Sequence, residues 1–204
     1  MAGVLLFGGS FDPVHCGHLI VSRAAAEMLS VERIIVIPSA QPPHKERARL
    51  TAPEHRVAMC RAAVAGDPLF EVSDWEVRQP GPNYTLLTVN HFRAALGADT
   101  PLHWLLGGDS LRDLHTWYRV AELADACTLV TAGRPGHAPP DWAELGRHLR
   151  ADQIERLRAH VLTTPQVEIA ATQVRQRVAA GLSVRYLVPE PVRDYISAQR
   201  LYRA

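Results

Sequence analysis

The chain has 204 residues, 47% of them hydrophobic, which suits one domain, or one domain with a small appendage, that buries a real core. Its 22 basic and 21 acidic residues leave a formal net charge of +1, which gives no reason to expect nucleic acid or membrane as a partner. Cys16, Cys60 and Cys127 form an odd set without metal-type spacing, which argues against a disulfide framework or a zinc site and fits a reducing cytosol. The N-terminal apolar run is too short for a signal peptide, and no other run is long enough to span a bilayer, so a soluble, cytoplasmic protein is expected.

Short β-rich runs alternate with helical stretches. Gly3 to Phe7 reads as a buried strand, and Gly17 to Leu29 as a helix with Leu19, Ile20, Ala24 and Met28 on its apolar face. Arg33 to Ile37 is a second strand, stopped by Pro38. Thr51, Pro53 and Glu54 form a capping-box pattern, with Thr51 as the cap of a helix that ends near Gly66. Phe70 to Ser73 is a short strand, Thr85 to Leu96 a helix, Leu102 to Leu106 a strand and Cys127 to Thr131 another. The C-terminal part is mainly helical: one or two helices over Asp141 to His160, one over Thr172 to Ala180 with Thr172 as N-cap, and one over Pro189 to Ala198. Val167 to Ala170 reads as a last strand. Gln41 to Leu50 and Gly133 to Pro140 read as mobile loops near a site.

Alternation of this kind predicts an α/β fold, a doubly wound parallel sheet covered by helices on both faces. Residues 1–204 are expected to form a single domain, with 141–204 as a helical portion packed on it. Ligands in such folds sit beyond the carboxyl ends of the strands. The loops rich in Gly, His or Asp follow predicted strands.

One of them carries the chemistry: Phe7-Gly8-Gly9-Ser10-Phe11-Asp12-Pro13-Val14-His15-Cys16-Gly17-His18. Gly8 and Gly9 allow a sharp turn and close approach to a ligand, and Pro13 stiffens it. The helix that opens at Gly17 offers backbone amides to an anion. His15 and His18, three apart, project to one side of that helix start, where two imidazoles suit phosphate oxygens and charge growing on a phosphoryl group. The plain alternative is a glycine-rich turn with two surface histidines. A metal site is less favoured, because only Asp12 stands near as a third ligand.

This segment resembles the HxGH signature of the nucleotidyltransferase superfamily, whose fold is Rossmann-like. Its full run is similar to the bacterial nicotinate-nucleotide adenylyltransferases. Further matches follow in order along the chain: Pro42-Pro43-His44-Lys45, Asn83-Tyr84-Thr85, Gly107-Gly108-Asp109-Ser110, Thr116-Trp117-Tyr118, Arg134-Pro135-Gly136, Ile169 to Arg175, and Leu187-Val188-Pro189 to Tyr202-Arg203. The resemblance implies transfer of AMP from ATP to nicotinate mononucleotide, giving deamido-NAD and pyrophosphate. His15 and His18 are then the catalytic pair, with His18 on the α-phosphate. Gly8, Gly9, Ser10, Phe11, Gly107, Asp109, Arg134, Thr172 and Arg175 join them in binding ATP. Thr172 and Arg175 would hold the triphosphate and Asp109 the ribose hydroxyls. His44, Lys45, Tyr84, Thr85, Trp117 and Tyr118 would receive the other substrate, with Trp117 stacking on the pyridine and the loop of His44 and Lys45 acting as a lid. Mg²⁺ would ride on the nucleotide's oxygens and water, with no metal site built by the protein.

Two departures stand out. Ser10 stands where the family more often has Thr, and Ala170 where it often has Ser, which removes one hydroxyl from the triphosphate site. The alternatives are a sister enzyme, a phosphopantetheine adenylyltransferase or a cytidylyltransferase, and a non-catalytic nucleotide-binding module. Preference between nicotinate and nicotinamide mononucleotide stays open, as does a homo-oligomer.

Overall fold

The structure, a computed structural model, describes residues 3–41, 50–133 and 140–203. The elements run β1 (Val4–Gly9), α1 (Cys16–Leu29), β2 (Arg33–Pro38), α2 (Pro53–Val64), β3 (Phe70–Val72), α3 (Trp75–Arg78), α4 (Thr85–Leu96), β4 (Leu102–Gly107), α5 (Gly108–Arg112), a 3-10 turn (Leu114–Thr116), α6 (Val120–Ala126), β5 (Thr128–Gly133), α7 (Trp142–Leu145), α8 (Ala151–Ala159), β6 (Val161–Thr163), α9 (Ala171–Ala179) and α10 (Glu190–Ala198). The strands form one parallel sheet of six in the order β3-β2-β1-β4-β5-β6. That is the Rossmann-like, doubly wound arrangement, with the strand order reversing between β1 and β4.

The inner strands are strands because their central residues are almost entirely apolar, Thr131 of β5 being the polar exception. Leu5 and Leu6 of β1, Ile34 to Ile37 of β2, Trp104 to Leu106 of β4 and Leu129 to Ala132 of β5 are all buried. Continuous burial is what a parallel sheet with both faces covered requires. Full burial of each such side chain contributes about 1.5–3 kcal/mol. β3 and β6 stand at the sheet edges, three residues each and only partly covered.

The residues gather into two compact units that interleave along the chain. One comprises Met1–Gly8, Ser22–Ile34 and Tyr84–Gln166. In it β4 lies parallel between β1 and β5, β6 extends the sheet from β5, α4 packs on α6, and α8 packs on β5. The other comprises Gly9–Val21, Ile35–Asn83 and Val167–Ala204. There α2 packs on α10 and on β3, and His55 Nδ1 meets the Tyr195 hydroxyl at 2.9 Å. The helices expected over 141–204 are therefore divided, α7 and α8 in the first unit, α9 and α10 in the second.

Three local expectations are corrected. Val167 to Ala170 has no regular structure; the last strand is Val161–Thr163, paired with β5 from Thr131↔Val161 to Gly133↔Thr163. Three residues, two of them exposed, are too few to register as alternation. Thr51 does not cap α2. The N-cap is Ala52, without a side-chain bond, and Pro53 starts the helix with no amide to satisfy. Thr172 does not cap α9 either; Ala170 takes the extended cap conformation, at φ −114° and ψ 139°.

Cys16, Cys60 and Cys127 are free thiols. Burial pushes the Cys127 thiol up to about 12 and raises that of Cys60 also, which leaves both unreactive. Among the described residues no helix is long and apolar enough to cross a membrane.

Gly8 closes β1 against the Trp104 ring of β4. A Cβ at position 8 would lie 2.5 Å from Trp104 Cζ2 and 2.6 Å from Cη2. Gly8→Ala is expected to destabilise the fold by about 1–3 kcal/mol, read as a lowered denaturant midpoint. An unchanged midpoint would show that the indole moves aside freely.

Candidate active site

The Gly9 to His18 loop lies wholly in the second unit. Its two histidines come together: the imidazoles of His15 and His18 stack, 3.6 Å between centroids and 21° between planes. The His15 backbone N–H donates to His18 Nδ1 at 3.2 Å. An Nδ1 that accepts carries no proton, so Nε2 of the neutral ring carries it and is the nitrogen able to donate. The Phe11 ring meets the His18 ring edge-on at 5.1 Å. Gly17 leaves room for this packing, since a Cβ there would stand 3.2 Å from His15 Nδ1 and from Val167 Cγ1, a tight contact.

The amides at the start of α1 are less available than the sequence suggests. Cys16 N–H already donates to the Leu187 carbonyl at 2.9 Å, and His18 N–H to the His15 carbonyl at 3.0 Å.

The loop is strained and strongly anchored. Phe11 is left-handed at φ 45° and buried, a conformation that costs an aromatic residue on the order of 1–3 kcal/mol. The Asp12–Pro13 peptide is cis. Arg56, at 0% exposure, donates Nη1 to the carbonyls of Ser10 and Ser39, 2.6 Å each, and Nε to the Thr51 carbonyl at 2.9 Å. Buried Asp12 accepts from Thr51 N–H at 3.2 Å and from the Tyr202 hydroxyl at 2.7 Å. Burial lowers the Arg56 guanidinium below its ordinary value, and the Asp12 charge opposes that shift. Burial, with Asp12 beside it, raises the Tyr202 phenol, so its hydroxyl remains a donor at neutral pH.

None of Asp12, Arg56 and Tyr202 is assigned a role by the sequence reading. Asp12 and Tyr202 do lie in recognisable motifs. Arg56 has no local signal, because an arginine in a helix most often faces water. Asn83 is a further buried hub. Its Oδ1 accepts from Ser39 Oγ at 3.1 Å and from Gln41 N–H at 2.8 Å, and its Nδ2 donates to the Glu76 carbonyl at 3.1 Å.

α9 begins in the same unit. Arg175 donates Nη1 to the Asp12 carbonyl at 2.7 Å and Nη2 to Thr172 Oγ1 at 3.2 Å. The start of α9 is thus tied directly to the histidine loop. Its N-cap, Ala170, has no hydroxyl to bond the first amides of the helix. Ala170→Ser is expected to stabilise the protein by about 1 kcal/mol by capping α9. Urea unfolding measures this; an unchanged midpoint means that the new hydroxyl turns away from the helix.

Gly107, Asp109, Tyr84, Thr85, Trp117 and Tyr118 fall in the first unit. Gly107 ends β4 and Asp109 sits in the first turn of α5, its exposed carboxylate paired with Arg112 at 2.8 Å. The rings of Tyr84 and Tyr118 stack at 4.5 Å and 28°, with Thr85 opening α4 beside them. Half-buried Trp117 lines a cavity of about 280 Å³ with His115, Arg119, Glu122 and His148. The Trp117 amide is bonded to the Leu114 carbonyl at 3.0 Å. His44, Lys45 and Arg134, with most of the two loops that contain them, lie outside the described residues. Among the described residues no group of three or more His, Cys, Asp and Glu side chains could hold a metal ion.

Comparison with known proteins supplies the family. The Cytidylyltransferase-like family model matches residues 6–177. A probable nicotinate-nucleotide adenylyltransferase of Symbiobacterium thermophilum is 42% identical over 208 residues, covering 99% of this chain and 96% of its own length. One of Rhodopirellula baltica is 37% identical over 201 residues, covering 98% and 94%.

The chain belongs to the nicotinate-nucleotide adenylyltransferase family. Its fold is shared by a solved structure, the Plasmodium falciparum nicotinic acid mononucleotide adenylyltransferase complexed with NaAD. That structure matches with a TM-score of 0.76 at 18% identity, covering 99% of this chain and 98% of the other. Within this nicotinate-nucleotide adenylyltransferase family member, His15 and His18 of the His15-Cys16-Gly17-His18 run are the stacked pair.

Proposed function

We propose that the chain transfers the adenylyl group of ATP to nicotinate mononucleotide, forming deamido-NAD and releasing pyrophosphate. The observation that carries this reading is the stacked histidine pair, with a His18 tautomer that places a proton on Nε2. Full-length relatives bearing that activity in their names support the choice of substrates. The family model spans segments of both compact units, which supports one nucleotidyltransferase domain.

A phosphate oxygen of the mononucleotide attacks the α-phosphorus of ATP in line. The bond from that phosphorus to the oxygen bridging the β-phosphate breaks, and pyrophosphate leaves. No protein nucleophile takes part, so catalysis is positioning and charge stabilisation. His18 Nε2 donates to the α-phosphate, His15 and Ser10 serve neighbouring phosphate oxygens, and Gly8, Gly9 and Phe11 shape the turn around the nucleotide. Arg175 and Thr172 hold the outer phosphates at the start of α9. Asp109, beside Gly107, accepts from ribose hydroxyls; Arg134 contacts the nucleotide. Trp117 stacks on the pyridine, with Tyr84, Thr85 and Tyr118 lining the acceptor pocket; His44 and Lys45 are assigned to the acceptor by the family resemblance alone. Mg²⁺ would be carried by nucleotide oxygens and water. When bound, it neutralises the triphosphate and the leaving group. A reducing, cytoplasmic setting suits the three free thiols.

The deciding experiment follows pyrophosphate release with ATP and each of nicotinate mononucleotide, nicotinamide mononucleotide and phosphopantetheine. Turnover is expected with the first. Turnover with phosphopantetheine alone would transfer the chain to the sister enzyme. ATP binding without release from any acceptor would make it a nucleotide-binding module.

A further inference from the structure

We propose that Asp12, Arg56 and Tyr202 are positioning residues for adenylyl transfer, a buried clamp that fixes the histidine loop without touching substrate. The proposal rests on the function just stated.

Asp12 is the centre of the clamp. Each of its carboxylate oxygens is engaged, Oδ1 by the Tyr202 hydroxyl and Oδ2 by Thr51 N–H, while its carbonyl is taken by Arg175. Its side chain is therefore spent on the protein rather than offered to a ligand. Arg56 performs the same task one residue pair earlier. It joins the carbonyl of Ser10 to those of Ser39 and Thr51, and Ser39 N–H returns a bond to the Gly9 carbonyl at 2.9 Å. The loop is thus gripped on both sides of Phe11.

That grip coincides with backbone strain. Phe11 and Tyr202, both aromatic and both left-handed at φ 45° and 61°, stand at two ends of one network. Such conformations persist where the surroundings over-determine them, and they collect at sites whose geometry matters. The clamp also gathers remote segments: 190 residues separate Tyr202 from Asp12, and 46 separate Arg56 from Ser10. A loop that must hold two imidazoles against a reacting phosphate needs such a grip, since misplacement by about 1 Å can cost about 100-fold in rate.

The test compares the full-length protein with Tyr202→Phe, Asp12→Asn and Asp12→Ala. Steady-state kcat and KM are measured for ATP and nicotinate mononucleotide, alongside urea unfolding and hydrogen exchange of the segment 9–18. Tyr202→Phe removes one hydroxyl and is expected to lower kcat about 10-fold or more. KM for ATP should change less than about threefold, and exchange in 9–18 should rise while the rest of the folded protein is unaltered. Asp12→Asn keeps an acceptor oxygen and is expected to retain more kcat than Asp12→Ala.

A Tyr202→Phe protein with a lower urea midpoint but wild-type kcat and wild-type exchange in 9–18 overturns the proposal, as the phenol is then only structural. So does a raised KM at unchanged kcat, the sign of a binding residue. Should Tyr202→Phe not fold, the Asn and Ala variants at position 12 decide: equal kcat in both counts against the clamp. Failure of the adenylyl-transfer reading shows separately, as absent turnover in the unaltered protein. In that event the exchange comparison still decides whether these residues hold the loop.

Discussion

Replacing His18 by alanine is expected to lower kcat by about 100- to 1,000-fold while the protein stays folded, the range seen when one preorganised donor to a developing charge is removed. The geometry specifies why this histidine matters more than a generic cation. Its Nδ1 is occupied by the His15 N–H, and its ring is held between the His15 stack and the edge of Phe11. The ring is thus fixed in one orientation and one neutral tautomer before substrate arrives, so little reorganisation accompanies the reaction. Its removal should leave ATP affinity nearly unchanged, because the interaction strengthens as charge moves onto the α-phosphate. Pyrophosphate release gives kcat, and calorimetric titration gives ATP affinity. Turnover within threefold of the unaltered protein would remove His18 from the reaction. Loss of ATP binding at unchanged kcat would make it a ground-state contact.

Replacing Arg175 by alanine is expected to lower kcat/KM for ATP by about 10- to 150-fold. This corresponds to the loss of about 1.5–3 kcal/mol from hydrogen bonds made by a charged donor. Two consequences separate this residue from His18. Its guanidinium bonds the Asp12 carbonyl as well as Thr172 Oγ1, so its loss frees the histidine loop and strips charge from the start of α9 together. Both KM for ATP and kcat should therefore move. Arg175→Lys keeps the charge but cannot reach both partners with one planar fork, so it should recover KM more than kcat. Equal kcat/KM in the alanine variant and the unaltered protein would exclude the start of α9 from the triphosphate site.

Much of this was legible in the chain itself. Inner strands were readable because a parallel strand buried on both faces must be apolar throughout, as Ile34 to Ile37 are. The histidine loop was readable because turn glycines, a proline and two histidines three apart are local facts, independent of the rest of the fold. The family resemblance rested on an ordered set of short motifs along the chain and agrees with full-length relatives. Helix caps were misread at Thr51 and Thr172, since a hydroxyl near a helix start caps only if the backbone there is extended.

What the tertiary structure alone decided is how that loop is held. Local pattern has a reach of one or two turns of helix, the distance over which periodicity and capping act. Bonds from Tyr202 and Arg175 to Asp12 span 190 and 163 residues. They follow from where the whole backbone leads the chain, and no composition or spacing encodes them. Arg56 marks the difference most clearly: in the sequence it is one arginine in a helix, and in the fold it is a fully buried cation bonded to three carbonyls. Residue order sets which chemistry is available, and only the folded chain sets which groups are removed from water and must therefore find partners.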